Sequence, residues 1–129
     1  MKLDMVGIIV EDMAAALEFY QRLGFTLAPE AGEDYAELVN QGVRISLNTK
    51  KMIAGVYGFT PELVGERIEL AFLCESATEV DQIVARMASF GYEIFKAPWD
   101  AFWGQHYAII KDLDGNLLSL FADVESEEA

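Results

Sequence analysis

From Met13 onward, apolar residues recur at three- and four-residue steps: Met13, Ala16, Leu17, Tyr20 and Leu23. That spacing lays one apolar stripe along a helix. Asp12 stands where an N-cap is needed and Gly24 where the chain must leave the helix, since a carboxylate accepts the orphan amides of the first turn and glycine tolerates a left-handed exit. A second helix is predicted to open at Ser76-Ala77-Thr78-Glu79, which has capping-box spacing, and to run through Val80, Ile83, Val84 and Met87 to Gly91. The other apolar segments are short and rich in branched or aromatic side chains, and they read as strands: Met5–Val10, Tyr35–Val39, Val43–Leu47, Ile68–Cys74, Tyr92–Phe95, Tyr107–Ile110 and Leu117–Phe121. A weaker strand is expected over Phe25–Leu27.

The order is strand, helix, three strands, and then the same again. Residues echo as well. Leu23-Gly24-Phe25 followed by Pro29 matches Phe90-Gly91-Tyr92 followed by Pro98, and Gly42-Val43-Arg44-Ile45-Ser46-Leu47 matches Gly115-Asn116-Leu117-Leu118-Ser119-Leu120. A duplicated βαβββ unit leaves a sheet face that it cannot cover alone. Two such modules, side by side or exchanged between chains, make a curved mixed sheet around a cleft. The expectation is therefore an α+β fold and a homodimer, with a single domain over 1–129. Module 1 is placed at about 1–49, a connecting loop at 50–66, module 2 at about 67–122 and an acidic tail at 123–129. The connection carries Met52, Ile53, Val56, Tyr57 and Phe59, more apolar surface than an idle linker needs, and reads as a lid or binding loop. Pro61 would suit the first turn of a short helix over Thr60–Val64.

Composition narrows the function. The chain has 129 residues, 53% hydrophobic and 24% charged, which is a globular composition. Twenty-two acids against nine bases give a formal charge of −13, with Asp123, Glu125, Glu127 and Glu128 gathered at the C-terminus. A field of that sign repels phosphate backbones and attracts small cations; solubility alone accounts for it equally well. No apolar run is long enough to span a bilayer. Cys74 is the single cysteine, so no internal disulfide forms, as in a reducing compartment. The opening Met1-Lys2-Leu3-Asp4 places an acid where a signal peptide needs its apolar stretch. The expected location is the cytoplasm, with neither nucleic acid nor membrane as partner.

Candidate chemistry is sparse. His106 is the single histidine and cannot supply a ligand cluster; it reads as a partly exposed strand residue or a hydrogen-bonding partner for a ligand. Cys74 lies in an apolar strand with no basic neighbour to activate it, and reads as a structural thiol. Asp112-Leu113-Asp114-Gly115-Asn116 lacks the spacing of a calcium loop and reads as a hairpin turn. The aromatic set is more informative. Trp99, Phe102 and Trp103 fall together at a strand end, with Asp100 and Gln105 as polar neighbours, while Tyr57 and Phe59 lie on the connection. Such rings either pack in a core or interface or form the walls of a binding site.

Taken together, Glu18-Phe19-Tyr20 with Leu23-Gly24-Phe25, and Asp112-Leu113-Asp114-Gly115-Asn116, resemble the vicinal oxygen chelate superfamily, which contains glyoxalases, bleomycin-resistance proteins and dioxygenases. The run Lys96-Ala97-Pro98-Trp99-Asp100-Ala101-Phe102-Trp103-Gly104-Gln105 is similar to the mitomycin-resistance type, which holds a drug without altering it. The resemblance implies four metal-ligand positions, which fall here on Met5, Ser46, Glu69 and Ser119. One carboxylate, two serine hydroxyls and a thioether are a poor set for a hard divalent ion, so no metal, no cofactor and no catalytic residue are expected. The same resemblance gives Trp103 and Tyr57 the roles of rings that sandwich a flat ligand. Trp99, Phe102, Gln105 and Glu69 complete the expected ligand-binding set. The reading is a metal-free protein that sequesters an aromatic or cationic antibiotic. A metal-dependent enzyme of the same superfamily and an orphan metabolite binder are the alternatives.

Overall fold

A computed structural model describes residues 1–65 and 68–124. The expected tail residues Glu125, Glu127 and Glu128, and Glu66 at the end of the connection, lie outside the described residues. The chain divides into two compact units, Met1–Val64 and Gly65–Ala129.

In the first unit, β1 (Met5–Val10) is followed by α1 (Met13–Leu23), β2 (Tyr35–Leu38), β3 (Arg44–Thr49) and α2 (Lys50–Tyr57). The sheet order is β1-β3-β2, with β1 parallel and β2 antiparallel to β3. Asp12 caps α1 as expected, its carboxylate accepting from the Ala15 amide at 3.1 Å, and Gly24 ends it at φ 131°. Met13, Ala16, Phe19, Tyr20 and Leu23 of α1 are buried, as are Ile8, Val10, Ile45 and Leu47 of the sheet. The weaker strand over Phe25–Leu27 reduces to one bridge, Leu27 to Leu38.

The second unit contains β4 (Leu70–Leu73), α3 (Ala77–Ser89), β5 (Ile94–Ala101), β6 (Gln105–Lys111) and β7 (Leu117–Asp123), in sheet order β4-β7-β6-β5. The Ser76 hydroxyl caps α3 by accepting from the Glu79 amide at 3.1 Å. The Glu79 carboxylate returns the bond one residue earlier than the standard box, to the Glu75 amide at 3.0 Å. Val80, Val84 and Met87 of α3 and Ala108, Ile110, Leu118 and Leu120 of the sheet form the core of this unit.

Most strand ends differ from expectation by a residue or two, and three differences bear on the site or its surroundings. The helix in the connection is Lys50–Tyr57, capped by Thr49, and Thr60–Val64 is not helical. The Thr49 hydroxyl accepts from the Met52 amide, so a cap at the end of β3 wins over Pro61 as a starter. The strand expected to end at Phe95 continues to Ala101, with register shifts at Ile94/Lys96 and Lys96/Trp99. Pro98 has no amide to give the ladder, and the second shift is where the chain absorbs it before pairing resumes at Trp99 and Tyr107. Asp123 belongs to β7 rather than to a tail.

The two units repeat at the level of register. Ser46 pairs with Gly7 and Ser119 with Ala71, so Met5 and Glu69 each stand two residues before the serine's partner. Tyr35 pairs with Asn48 and Tyr107 with Phe121, each two residues beyond the serine. Each sheet turns one face to its helix and the other, carrying these residues, away from it.

Candidate functional site

On the second unit's open face, parallel pairing of β4 with β7 brings Glu69 beside Ser119. The Ser119 hydroxyl donates to Glu69 Oε2 at 2.9 Å, and the Tyr107 hydroxyl donates to the same oxygen at 3.0 Å. Among the described residues Glu69 Oε1 accepts no hydrogen bond, and no cation pairs with the carboxylate. Two hydroxyls therefore fix one oxygen and orient the other outward. The Tyr107 phenol is held above its ordinary range, first by burial and then by the Glu69 carboxylate that it bonds; it stays a donor at neutral pH.

Beside this carboxylate stands a cluster of rings. Trp99 faces Tyr107 directly across the β5–β6 ladder, with centroids 5.5 Å apart at 63°. Trp103 meets Tyr107 at 5.4 Å and 78° and Trp99 at 6.1 Å and 89°, while Phe121 stacks on the far side of Tyr107 at 5.9 Å and 21°. Edge-to-face contacts at these distances leave no slot between the rings for a ligand. What they leave is an outer surface. Trp103 sits in the Phe102-Trp103-Gly104 hairpin loop, where Gly104 takes φ 91°, and it remains 49% exposed. Phe102, edge-on to Trp103, is 97% exposed. The Lys96 ammonium lies 4.1 Å from the Trp99 ring centroid, covering that ring.

Gln105 is committed within the protein. Its Oε1 accepts from Trp103 Nε1 at 2.8 Å and its Nε2 donates to Asp123 Oδ1 at 3.2 Å. The indole N–H is thereby occupied, and Trp103 offers its ring face rather than a donor. Tyr57 lies in the first unit at the end of α2, stacked on Phe59 at 5.5 Å and 28°, both rings well exposed.

The corresponding face of the first unit has different chemistry. Tyr35, the register counterpart of Tyr107, donates to Glu37 Oε2 at 3.0 Å and lies 3.6 Å from Met5 Sδ. Glu37 is neutralised by Arg44, which also binds Asp4 at 2.8 Å. The buried Ser46 hydroxyl accepts from Asn48 Nδ2 at 2.9 Å. Gly7 permits this crossing, since a Cβ there would stand 3.0 Å from Asn48 Nδ2. An open groove of about 800 Å³ lies elsewhere in this unit, lined by Glu11, Asp12, Met13, Leu17, Gly32 and Glu33; none of these is a candidate from sequence.

The four family positions do not fit a metal. Ser46 accepts from an amide, Met5 offers only a thioether, and the Ser119 hydroxyl already donates to the single carboxylate. Among the described residues no three His, Cys, Asp or Glu side chains gather into a metal-holding group.

His106 has surroundings the sequence did not reveal, whereas Cys74 is the buried structural thiol expected. His106 is held at both ring nitrogens, Nδ1 to Asp100 Oδ1 and Nε2 to Asp81 Oδ1, each at 2.7 Å. Cys74 is 8% exposed, and burial followed by the Glu79 carboxylate pushes its thiol up to about 11. The Asp112–Asn116 segment is the expected turn, with Asp112 Oδ1 accepting from the Asp114 and Asn116 amides. Among the described residues no helix is long and apolar enough to cross a membrane.

A family model for the glyoxalase/bleomycin resistance protein/dioxygenase superfamily matches residues 2–120. No curated protein matches the sequence significantly. Solved structures that resemble the chain include hypothetical protein SA1046 from S. aureus, with 20% identity and TM-score 0.83 over 95% of this chain and 94% of that one. A glyoxalase/bleomycin resistance protein/dioxygenase family enzyme from Burkholderia phytofirmans PsJN follows, with 22% identity and TM-score 0.80 over 96% and 100%. A lactoylglutathione lyase from Agrobacterium tumefaciens has 14% identity and TM-score 0.74 over 94% and 92%. At these identities the likeness is one of fold.

Proposed function

Because the chain belongs to the glyoxalase/bleomycin resistance protein/dioxygenase superfamily, we propose that it is a metal-free, cytoplasmic, homodimeric protein that binds and sequesters a small molecule with a flat aromatic body and a cationic group. The observation that carries the proposal is the pairing of a half-exposed indole, Trp103, with a carboxylate, Glu69, linked through Tyr107. A ring laid on Trp103 gains stacking and dispersion, and Phe102 and Trp99 extend the apolar surface. Glu69 Oε1 accepts from a protonated nitrogen, and the charge of −13 draws cations toward the protein. Gln105 serves by holding the Trp103 indole. Antibiotics of the mitomycin and bleomycin kind fit that chemistry, and sequestering them without turnover would confer resistance.

Both tryptophans lie in this cluster, so their emission reports on it alone. Titration with mitomycin, bleomycin and ethidium should quench emission saturably for at least one compound, with a dissociation constant of about 1 µM or below, the range that a stoichiometric trap requires. The compound should be recovered unchanged, and protein purified without chelator should carry well under one transition metal per chain. Absence of quenching by all three, or turnover dependent on a stoichiometric metal, would overturn the proposal; the second result would revive the enzyme.

A further inference from the structure

The imidazole of His106 is 13% exposed and sits between two carboxylates from different elements. Asp100 is its cross-strand partner on β5, and Asp81 reaches it from α3. A carboxylate only accepts, whereas a neutral imidazole has one donor and one acceptor nitrogen. With both nitrogens 2.7 Å from carboxylate oxygens, the neutral ring always leaves one lone pair facing another. Only the imidazolium, donating at both ends, satisfies the arrangement, and both bonds are then charge-assisted.

The other charged groups on the elements around His106 are engaged elsewhere. On α3, Glu79 accepts from the Glu75 amide and Arg86 lies in the last turn. On β5, Lys96 covers Trp99; on β6, Lys111 pairs with Glu93. On β7, Ala122 stands opposite His106, and the neighbouring Asp123 takes a hydrogen bond from Gln105. Among the described residues Asp81 and Asp100 alone bond the ring.

The latch holds a particular piece of structure. Asp100 follows Trp99 and His106 precedes Tyr107, so the Asp100–His106 bond closes the ladder one step from the Trp99–Tyr107 contact. The Asp81 bond ties the same hairpin to α3. We propose that His106 is a positioning residue, a proton-gated latch that fastens the β5–β6 hairpin to α3 and so sets the packing of Trp99 and Trp103. When the proton leaves, one of the two bonds must open, and the hairpin loses either its tie to α3 or a cross-strand clamp beside the rings. The direction of titration agrees with the geometry. The Asp81 hydrogen bond is the largest cause holding the imidazole above its ordinary 6.5, outweighing burial, which opposes it, with the Asp100 bond adding in the same sense. A raised folded-state value means that the latch contributes fully below about 6.5 and loses its contribution as pH rises through the folded value.

The latch itself is independent of what the face binds, and a single histidine and two neighbouring tryptophans make it directly readable. In the intact protein, the imidazole proton resonances should titrate above 6.5, and the near-UV dichroism of the tryptophan pair should change with the same one-proton midpoint. Asp81 is an exposed helix residue, so Asp81→Asn should fold normally while moving both midpoints down by about one pH unit. His106→Gln should abolish the near-UV transition. An imidazole titrating at or below 6.5, a near-UV spectrum flat across that titration, or a transition that persists in His106→Gln would overturn the latch. Failure of every compound to quench would count against the ligand proposal and leave these spectra unchanged.

Discussion

The Tyr107 hydroxyl donates to Glu69 Oε2 at 3.0 Å, whereas Tyr35, at the same register position in the first unit, donates to a glutamate that an arginine already neutralises. Duplication has thus kept the tyrosine and the serine in both units and varied the charge. Of the two equivalent tyrosines, only Tyr107 bonds a carboxylate that no described cation answers. Tyr107→Phe removes one of two donors to that oxygen and should destabilise the protein by about 0.5–1.5 kcal/mol. The ring cluster should survive, because phenylalanine keeps the contacts with Trp99, Trp103 and Phe121. Chemical denaturation of the variant measures the first effect and its near-UV spectrum the second.

Gly65 abuts the Asp112–Asn116 turn so closely that a Cβ there would run into the Gly115 carbonyl. That obstacle is backbone and cannot rotate away. Gly65→Ala should therefore cost about 1–3 kcal/mol through forced displacement and lower the melting temperature by several degrees. Gly55 is the internal control. It lies within α2, and a Cβ added there would meet nothing within 4 Å, so Gly55→Ala should raise stability by roughly 0.5–1 kcal/mol. Opposite shifts from the same substitution are the expected outcome, read by paired melting curves.

The Cys74 thiol should be nearly inert in the folded protein. With its ionisation at about 11, the thiolate fraction at pH 8 is on the order of one in a thousand, and the sulfur is also buried. A thiol reagent should react slowly until denaturant is added and then at the rate of a free cysteine. The same raised value favours the protonated folded form. Its contribution to stability is complete below the ordinary 9.0 and is lost as pH rises through about 11. Rapid labelling at pH 8 without unfolding would contradict this environment.

Local signals are legible in the sequence and long-range chemistry is not. Asp12 and Ser76 announce their helices because a cap acts within one turn, and the Asp112 turn is readable for the same reason. The echo around Ser46 and Ser119 reveals the duplication, and the register makes those serines equivalents. By contrast, α2 is hidden because Gly55 and Val56 dilute its helical pattern, while Pro61 offers a false start. Pro98 hides the continuation of β5, since no sequence signal says that a shift in register will absorb a proline. Asp81 reaches His106 from 25 residues away and Ser119 reaches Glu69 from 50, so only the packing of α3 and the parallel β4–β7 pair could unite them. Sequence places Trp99 and Trp103 near a bend, but their packing against each other, which closes the space between them, is a tertiary fact.

The central claim is that the exposed face of Trp103 is a binding wall rather than part of the core. It is tested most directly by measuring thermal unfolding and ligand affinity together on Trp103→Ala, using whichever of mitomycin, bleomycin or ethidium binds the parent most tightly. Calorimetric titration is the appropriate readout, since the substitution removes one of the two fluorophores. The predicted result is affinity weakened by about 1–3 kcal/mol, the value of one stacked ring, with a melting temperature close to the parent's. Parental affinity would contradict the claim, and so would early unfolding of the size expected for a buried tryptophan, about 3–5 kcal/mol.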